Sequence, residues 1–268
     1  MWGLCIFYNN GSYVDFGWPS GFTIMSLVYM VHGSGVWVHR AVISSLYVVA
    51  GVRFMVGWVW GRRHHVKEDH RWQHWRQRWA SGQGVLGIKS IPFNFFVFYH
   101  CQSFTNALIM QFPLELAAKN ASPKIHVLEL LGVGIWISGF LIENVADMQL
   151  TAFSVAQAKL RKKDPSRADM KAVMKSGLWR YSRHPNYFGE FLLWVGYAVY
   201  ALPVCASPLD MARLLFLPVV AYYYLVHFTG IFMAEQVSVQ RRGEAYVQYQ
   251  QETSMFFPWF PTKINKAA

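Results

Sequence analysis

Gly177-Leu178-Trp179-Arg180-Tyr181-Ser182-Arg183-His184-Pro185-Asn186-Tyr187-Phe188-Gly189-Glu190 is the stretch on which the reading of the fold turns. A basic loop runs up to Arg183 and His184, and an apolar run from Tyr187 to Cys205 follows at once. Proline suits the first helical position, where its missing N–H would have no partner within the helix. It also biases His184 towards an extended conformation. Arg183, His184 and Asn186 therefore gather round the N-terminus of a helix that enters an apolar phase. Unpaired N–H groups and the positive end of the helix dipole make such a tip suited to an anion. The sequence predicts a pocket for a phosphorylated or otherwise anionic cofactor at the rim of a membrane.

The composition agrees with a membrane setting. Of 268 residues, 54% are hydrophobic and 15% charged, against about 25% charged in an ordinary soluble domain. The long apolar runs predict an all-α, polytopic helix bundle in a lipid bilayer. The formal net charge is +11, but the basic residues lie between the apolar runs, and no nucleic-acid motif accompanies them. Loop orientation and an anionic lipid or cofactor explain the charge better than nucleic acid does. Cys5, Cys101 and Cys205 are odd in number and widely spaced in or near apolar sequence, so neither a disulfide framework nor a thiolate metal site is indicated. The N-terminus lacks the pattern of a cleaved signal peptide.

Six spans are expected: 14–31, 41–60, 92–112, a fourth helix from about Ile125 to about Lys159, 187–205 and 212–233, with amphipathic interfacial helices between them. Residues 113–124 read as a turn. Trp72, Trp75 and Trp79 stand three and four apart, which gives one apolar helical face suited to the headgroup region. No repeat or low-complexity linker divides the chain, so one domain over 1–268 is expected. With both termini cytoplasmic, the loops on that side hold seven Lys and Arg in 61–91, nine in 159–186 and four in 234–268, and the other side holds four. Moving any one span would put a heavily basic loop on the wrong side. The anion pocket then faces the cytoplasm.

Several side chains carry chemistry in this layout. Glu143 and Asp147 stand four apart on the fourth helix and share a face, with Thr151 and Ser154 continuing the stripe. Two close carboxylates at membrane depth line a polar cavity, share a proton or bind a ligand; alternatively, that end of the helix protrudes into water. Asn186 and Glu190 repeat the spacing, and Glu190 suits a ribose hydroxyl or amide deeper than the phosphate. Arg53, alone among apolar neighbours, either pairs with Asp15, Glu143 or Asp147 or holds a cofactor phosphate. Asp15, beside Tyr13 and Trp18, is a candidate for the substrate end or a cap of the first helix. His64, His65, His70 and His74 match no zinc motif, and no metal is expected. Tyr222, Tyr223 and Tyr224 read as packing aromatics. The tail runs from Glu235 through Arg241, Arg242, Tyr246 and Tyr249 to Phe257, Pro258 and Pro261, and can fold back to close the cofactor pocket.

These residues resemble the steroid 5-alpha-reductase-like membrane superfamily, and more closely its branch labelled steroid dehydrogenase-like. The central stretch carries the resemblance. Tyr13-Val14-Asp15 with Trp18, Arg53, Glu68-Asp69 with Arg71-Trp72, Glu143 with Ala146-Asp147, Gln149-Leu150 and Phe153, and Glu235 with Gly243, Tyr246, Tyr249 and Pro258 agree in order. The resemblance implies NADPH bound from the cytoplasmic side, reduction of a carbon–carbon double bond in an enone-type, sterol-like or lipid substrate, and residence in the endoplasmic reticulum. It implies a cofactor set of Arg53, Glu143, Asp147, Trp179, Arg183, His184, Asn186, Tyr187, Glu190, Glu235 and Tyr246, with Asp15 at the substrate carbonyl. Ala50 stands where better-known members carry a carbonyl-polarising tyrosine, and Tyr47, a turn earlier, is the replacement. The chain starts close to Asp15, which implies that a first family helix is absent or the gene model short. Membrane methyltransferases share an Arg-His-Pro-x-Tyr element that serves S-adenosylmethionine, with a Glu-Glu pair where this chain has Ala234-Glu235. A non-enzymatic sterol or lipid binder is the third reading, favoured by Ala50. No obligate protein partner is indicated.

Overall fold

The computed structural model describes residues 1–62, 67–164, 171–228 and 230–262. The fold is all-helical, with no strand among the described residues. The helices are α1 (Trp2–Phe7), α2 (Val14–His32), α3 (Trp37–Arg62), α4 (His70–Arg78), α5 (Ile91–Thr105), α6 (Phe112–Ala117), α7 (Val127–Lys163), α8 (Pro185–Ala201), α9 (Pro208–Tyr223), α10 (Ile231–Arg242) and α11 (Glu244–Glu252). Wider π-turns extend α5 over Asn106–Met110 and α9 over Tyr224–Phe228. Among the described residues, four stretches are long and apolar enough to cross a membrane: Trp37–Gly61, Val127–Lys163, Pro185–Val204 and Pro208–Arg242. At 37 residues, α7 is about 55 Å long, well beyond the roughly 30 Å of a bilayer's hydrocarbon core. The expected turn at 113–124 contains α6, because Pro113 sits in a first helical turn, where it is tolerated.

The chain forms two compact units, Met1–Leu131 with Tyr197–Leu217 and Gly132–Gly196 with Pro218–Ala268. In the first, Tyr47 of α3 stacks on Tyr197 with ring centroids 3.8 Å apart, and its hydroxyl donates to the Met110 carbonyl at 2.7 Å. Buried His39 places Nδ1 2.6 Å from Glu129 and Nε2 2.8 Å from the Ser122 carbonyl, while Glu129 also accepts the His126 N–H. This pins the start of α7 to the start of α3. The tryptophan face of α4 does not lie towards lipid. Trp72 and Trp79 are buried against Phe95 and Phe98 of α5, because a partner helix rich in phenylalanine covers that face better than headgroups would.

In the second unit, α7 and α8 cross closely. A Cβ on Gly189 would lie 2.6 Å from the Glu143 nitrogen and from the Gly139 oxygen, and one on Gly196 2.8 Å from the Gly132 oxygen. Backbone-to-backbone approach of this kind needs glycine, as small residues do in membrane helix pairs. A core of Leu225, Val226, Ile231 and Phe256 forms with Tyr187, Phe188, Phe191 and Tyr222 packed on it. The packing role expected for Tyr222 is thus met.

Gly189→Ala should destabilise the protein by about 1–3 kcal/mol, since the added methyl overpacks a backbone contact. Gly134→Ala, with nothing within 4 Å of its added Cβ, should be neutral or stabilising by up to about 1 kcal/mol. Thermal unfolding of both variants in one detergent checks the contrast.

Candidate functional site

The second unit builds its polar centre from the loop ahead of α8. After the helical turn Gly177–Arg180, Ser182 donates its hydroxyl to the Phe256 carbonyl at 2.8 Å and accepts the His184 N–H at 3.1 Å. Gly177 has φ 62, and a Cβ there would lie 2.5–2.6 Å from the Gln149 side chain; Gln149 accepts the Leu178 N–H at 3.0 Å. Trp179 donates its ring N–H to the Ala146 carbonyl at 3.0 Å and packs with Ala146 and Met174. These contacts lock the loop onto α7 and set the direction in which Arg183 leaves it.

Arg183 is 8% exposed. Its Nε and Nη2 donate to the two oxygens of Glu235 at 2.6 and 3.2 Å, and its Nη1 donates to the carbonyls of Gln250 and Thr253 at 2.8 and 2.6 Å. Glu235 also lies 3.2 Å from His184 Nε2 and accepts from Gln250 Nε2 at 2.8 Å. A bidentate, charge-assisted pair is the strongest arrangement open to a guanidinium. Burial pushes the His184 imidazole below its ordinary pKa, with the Arg183 charge adding to that, while the bond to Glu235 opposes both. Tyr249 donates its hydroxyl to the Trp179 carbonyl. Burial pushes the Tyr246 hydroxyl up to about 12, so the phenol keeps its proton at neutral pH and can donate.

The sequence placed these residues round a bare helix tip. The tip is covered instead: Ser182, Arg183, His184 and Pro185 are buried, and Arg183 N–H donates to the Ser254 carbonyl at 2.8 Å. The tail does fold back, and it does so over the tip itself. The open space lies beside the cluster. A cavity of about 570 Å³ is lined by Glu235, Gln236, Gln240 and Gln250 with Val226, Ile231 and Met255, and another of about 440 Å³ by Arg183 and the segment 250–255 with Trp259 and Phe260.

A second group stands on the facing helices. Asn186 Nδ2 donates to Asp147 Oδ1 at 3.1 Å, Asn186 Oδ1 is buried without a hydrogen-bond partner, and Glu143, one turn from Asp147, is buried. Glu190 is half-buried one turn beyond Asn186, and the Tyr187 ring lies 5.8 Å from the His184 ring. Thr151 and Ser154 are exposed, so the buried part of the polar stripe of α7 stops at Asp147.

Three expected site residues belong to the first unit. Asp15 accepts from Arg71 Nη2 at 3.0 Å and the Trp72 ring N–H at 3.3 Å, inside the first turn of α2 rather than as its cap. Arg53 lies 5.1 Å over the Phe54 ring. Tyr47 has its hydroxyl committed to the Met110 carbonyl. Among the described residues no cluster of three metal-ligating side chains occurs. His74 packs on Trp75, while His64, His65 and the His70 side chain lie outside the described residues. Gln250 and the Thr253 carbonyl escaped the sequence reading. A backbone acceptor has no sequence signature, and a glutamine in a polar helix stands out from no neighbour.

A family described as "Protein of unknown function (DUF1295)" matches residues 1–253. An uncharacterized protein of Schizosaccharomyces pombe is similar, 22% identical over 271 residues, covering 96% of this chain and 75% of that protein. No solved structure matches.

Arg183→Ala should cost about 3–5 kcal/mol, because it leaves the Glu235 carboxylate buried without its cation. Limited proteolysis should then cut within 250–262 at a protease level that spares the wild type. The lowered His184 pKa means that, below about pH 6.5, the unfolded chain binds more protons than the fold does. Its contribution is therefore full above that value and lost as pH falls through it. His184→Asn should flatten the fall in unfolding midpoint between about pH 7.5 and 5.5.

Proposed function

We propose, for a chain that belongs to the DUF1295 family and so to the steroid 5-alpha-reductase-like superfamily, an NADPH-dependent reductase of an enone-type double bond in a hydrophobic, sterol-like or lipid substrate. The finer reading assigns it to the steroid dehydrogenase-like branch, with six spans, both termini in the cytoplasm and residence in the endoplasmic reticulum. The observation that supports the cofactor is the convergence of Arg183, His184 and Glu235 beside the 570 Å³ cavity, a volume within the range of cofactor sites.

The donor set fits a dinucleotide in kind. Gln240 and Gln250 in that cavity, and Asp147 with Asn186 on the facing helices, offer the acceptors and donors that ribose hydroxyls and a carboxamide require. Asn186 Oδ1, buried and unmatched, calls for a donor. Arg241 and Arg242 in the last turn of α10 supply positive charge for phosphates. In this reading Arg183 and His184 are positioning residues: they fix Glu235 and hold the tail in place. A bound reduced nicotinamide would supply hydride to the β-carbon of the enone, and a proton taken up at the α-carbon would complete the reduction. Asp15, held by Arg71 and the Trp72 ring, is the candidate this reading assigns to the substrate end.

Purified protein should show a thermal shift with NADPH and none with S-adenosylmethionine. The reverse pattern assigns the chain to the methyltransferase reading and defeats this one; no shift with either, together with a retained sterol, favours the binder. Asn186→Ala should weaken NADPH binding by about ten-fold, the effect of one lost hydrogen bond to a buried group, without lowering the unfolding midpoint. Asp15→Asn should reduce turnover and leave NADPH affinity unchanged.

A further inference from the structure

The first unit holds a cavity of about 170 Å³ bordered by α2 and α5 that no residue of the proposed nucleotide site lines. Val14, Trp18 and Met25 give it an apolar side, and Gln102, Asn106 and Gln111 a polar one. No Asp, Glu, Lys, Arg or His side chain lines it, and Met1, Tyr99 and Ser103 also line it.

The polar side is built by the π-turn. Gln102 and Asn106, four apart, share a face of α5. In a regular α-helix a residue five further on would swing away from that face. The wider turn brings it back: Gln111 N–H donates to the Asn106 carbonyl at 3.0 Å, and its Nε2 to Asn106 Oδ1 at 2.5 Å. Asn106 Nδ2 donates to the Trp18 carbonyl at 3.1 Å, so the Asn106 amide is held at both ends and forms a fixed wall. Such π-turns inside helices are frequent at functional sites. Gln102 differs from its neighbour. It is 8% exposed, and its Oε1 is buried with no hydrogen-bond partner. A buried acceptor without a donor is costly to maintain, and a ligand that brings a donor hydrogen removes the deficit.

We propose that this cavity binds the hydroxyl head of a neutral lipid alcohol, with Gln102 Oε1 accepting the hydroxyl hydrogen and Val14, Trp18 and Met25 against the adjoining carbons. The volume is below that of sites that enclose a whole drug-sized ligand, so it takes the head and first carbons only. The absence of a lining carboxylate selects against an ammonium headgroup, which would lose its hydration without a counter-charge. The inference stands on the first unit alone and does not rest on the nucleotide reading.

The full chain in nanodiscs is titrated with tritiated cholesterol and, separately, with a tritiated diacylglycerol, each competed by its unlabelled alcohol and by its O-methyl ether. Saturable binding of one of them names the source of the alcohol. The ether, lacking the donor, should compete about ten-fold more weakly or worse. Gln102→Leu should weaken binding about ten-fold or more while raising the unfolding midpoint of the ligand-free protein, since the orphaned acceptor is gone; a merely structural glutamine would lower it. Gly21→Leu should also block binding, because a Cβ at Gly21 meets only Asn106 Nδ2, at 3.8 Å, and the larger side chain grows towards that cavity wall. Gly21→Ala replaces it if the leucine variant fails to fold. Absence of saturable binding to either alcohol, equal competition by the ether, unchanged binding in the Gln102 variant, or a lowered ligand-free midpoint there each overturns the proposal. NADPH binding measured on the same samples keeps this outcome separate from that of the reductase reading.

Discussion

A guanidinium buried beside the start of α8 constrains everything round it. Arg183 carries donors that cannot be left dry, and the structure meets them with one carboxylate and two carbonyls, from Glu235, Gln250 and Thr253. Those acceptors lie 52, 67 and 70 residues away in sequence, so satisfying them requires α10, α11 and the tail to be in place. Once the tail is there, Phe256 joins the apolar core with Leu225 and Ile231, and Trp259 N–H donates to the Tyr181 carbonyl at 2.9 Å. A buried pair of this kind is weak as a source of stability, since a hydrophobic replacement of both partners is often neutral or better. What it supplies is a single arrangement of the segments around it.

The close crossing of α7 and α8 has a similar effect on the second polar group. The polar faces of two helices separated by ordinary side chains, about 8–10 Å between axes, do not bring short residues such as asparagine and aspartate into contact. Glycine at 139 and 189 removes the intervening bulk, and Asn186 then reaches Asp147. A pattern of small residues thus governs a polar contact one or two turns away, and the buried Glu143 lies at the same crossing.

Four of the six expected spans were legible because long apolar runs have few alternatives, and Pro185 marks its helix start for a steric reason that holds in any fold. Glu235 was legible as a carboxylate standing alone at the end of an apolar run. The surroundings of those residues were not. The spacing of Trp72, Trp75 and Trp79 reveals an apolar face but not whether lipid or a phenylalanine-rich helix covers it. Arg183 reads as a free cation because its partners are one distant side chain and two backbone carbonyls. The π-turn at Asn106–Met110 leaves no mark that sequence periodicity resolves, yet it decides that Gln111 lines the same cavity wall as Asn106.

In the first unit, charge is handled by pairing. Asp15 meets Arg71, Glu68 meets Arg76 and also accepts the Gly11 N–H, and Glu129 meets His39. The Asp15–Arg71 and Glu129–His39 pairs, and the Gly11–Glu68 bond, tie together elements distant in sequence, which is an economical use for ionisable groups that are costly at membrane depth. The cavity bordered by α2 and α5 takes none of these paired side chains, and three carboxamides, Gln102, Asn106 and Gln111, form much of its polar side. Carboxamides can present donors or acceptors without a net charge, so they provide hydrogen-bond direction where a charge would demand a counter-ion or water. A cavity built in this way can distinguish an alcohol from an ether by one hydrogen bond, whereas a cavity lined by carboxylates would respond first to charge. The partition of paired ions elsewhere and neutral amides here is what gives the first unit a basis for recognising an uncharged head.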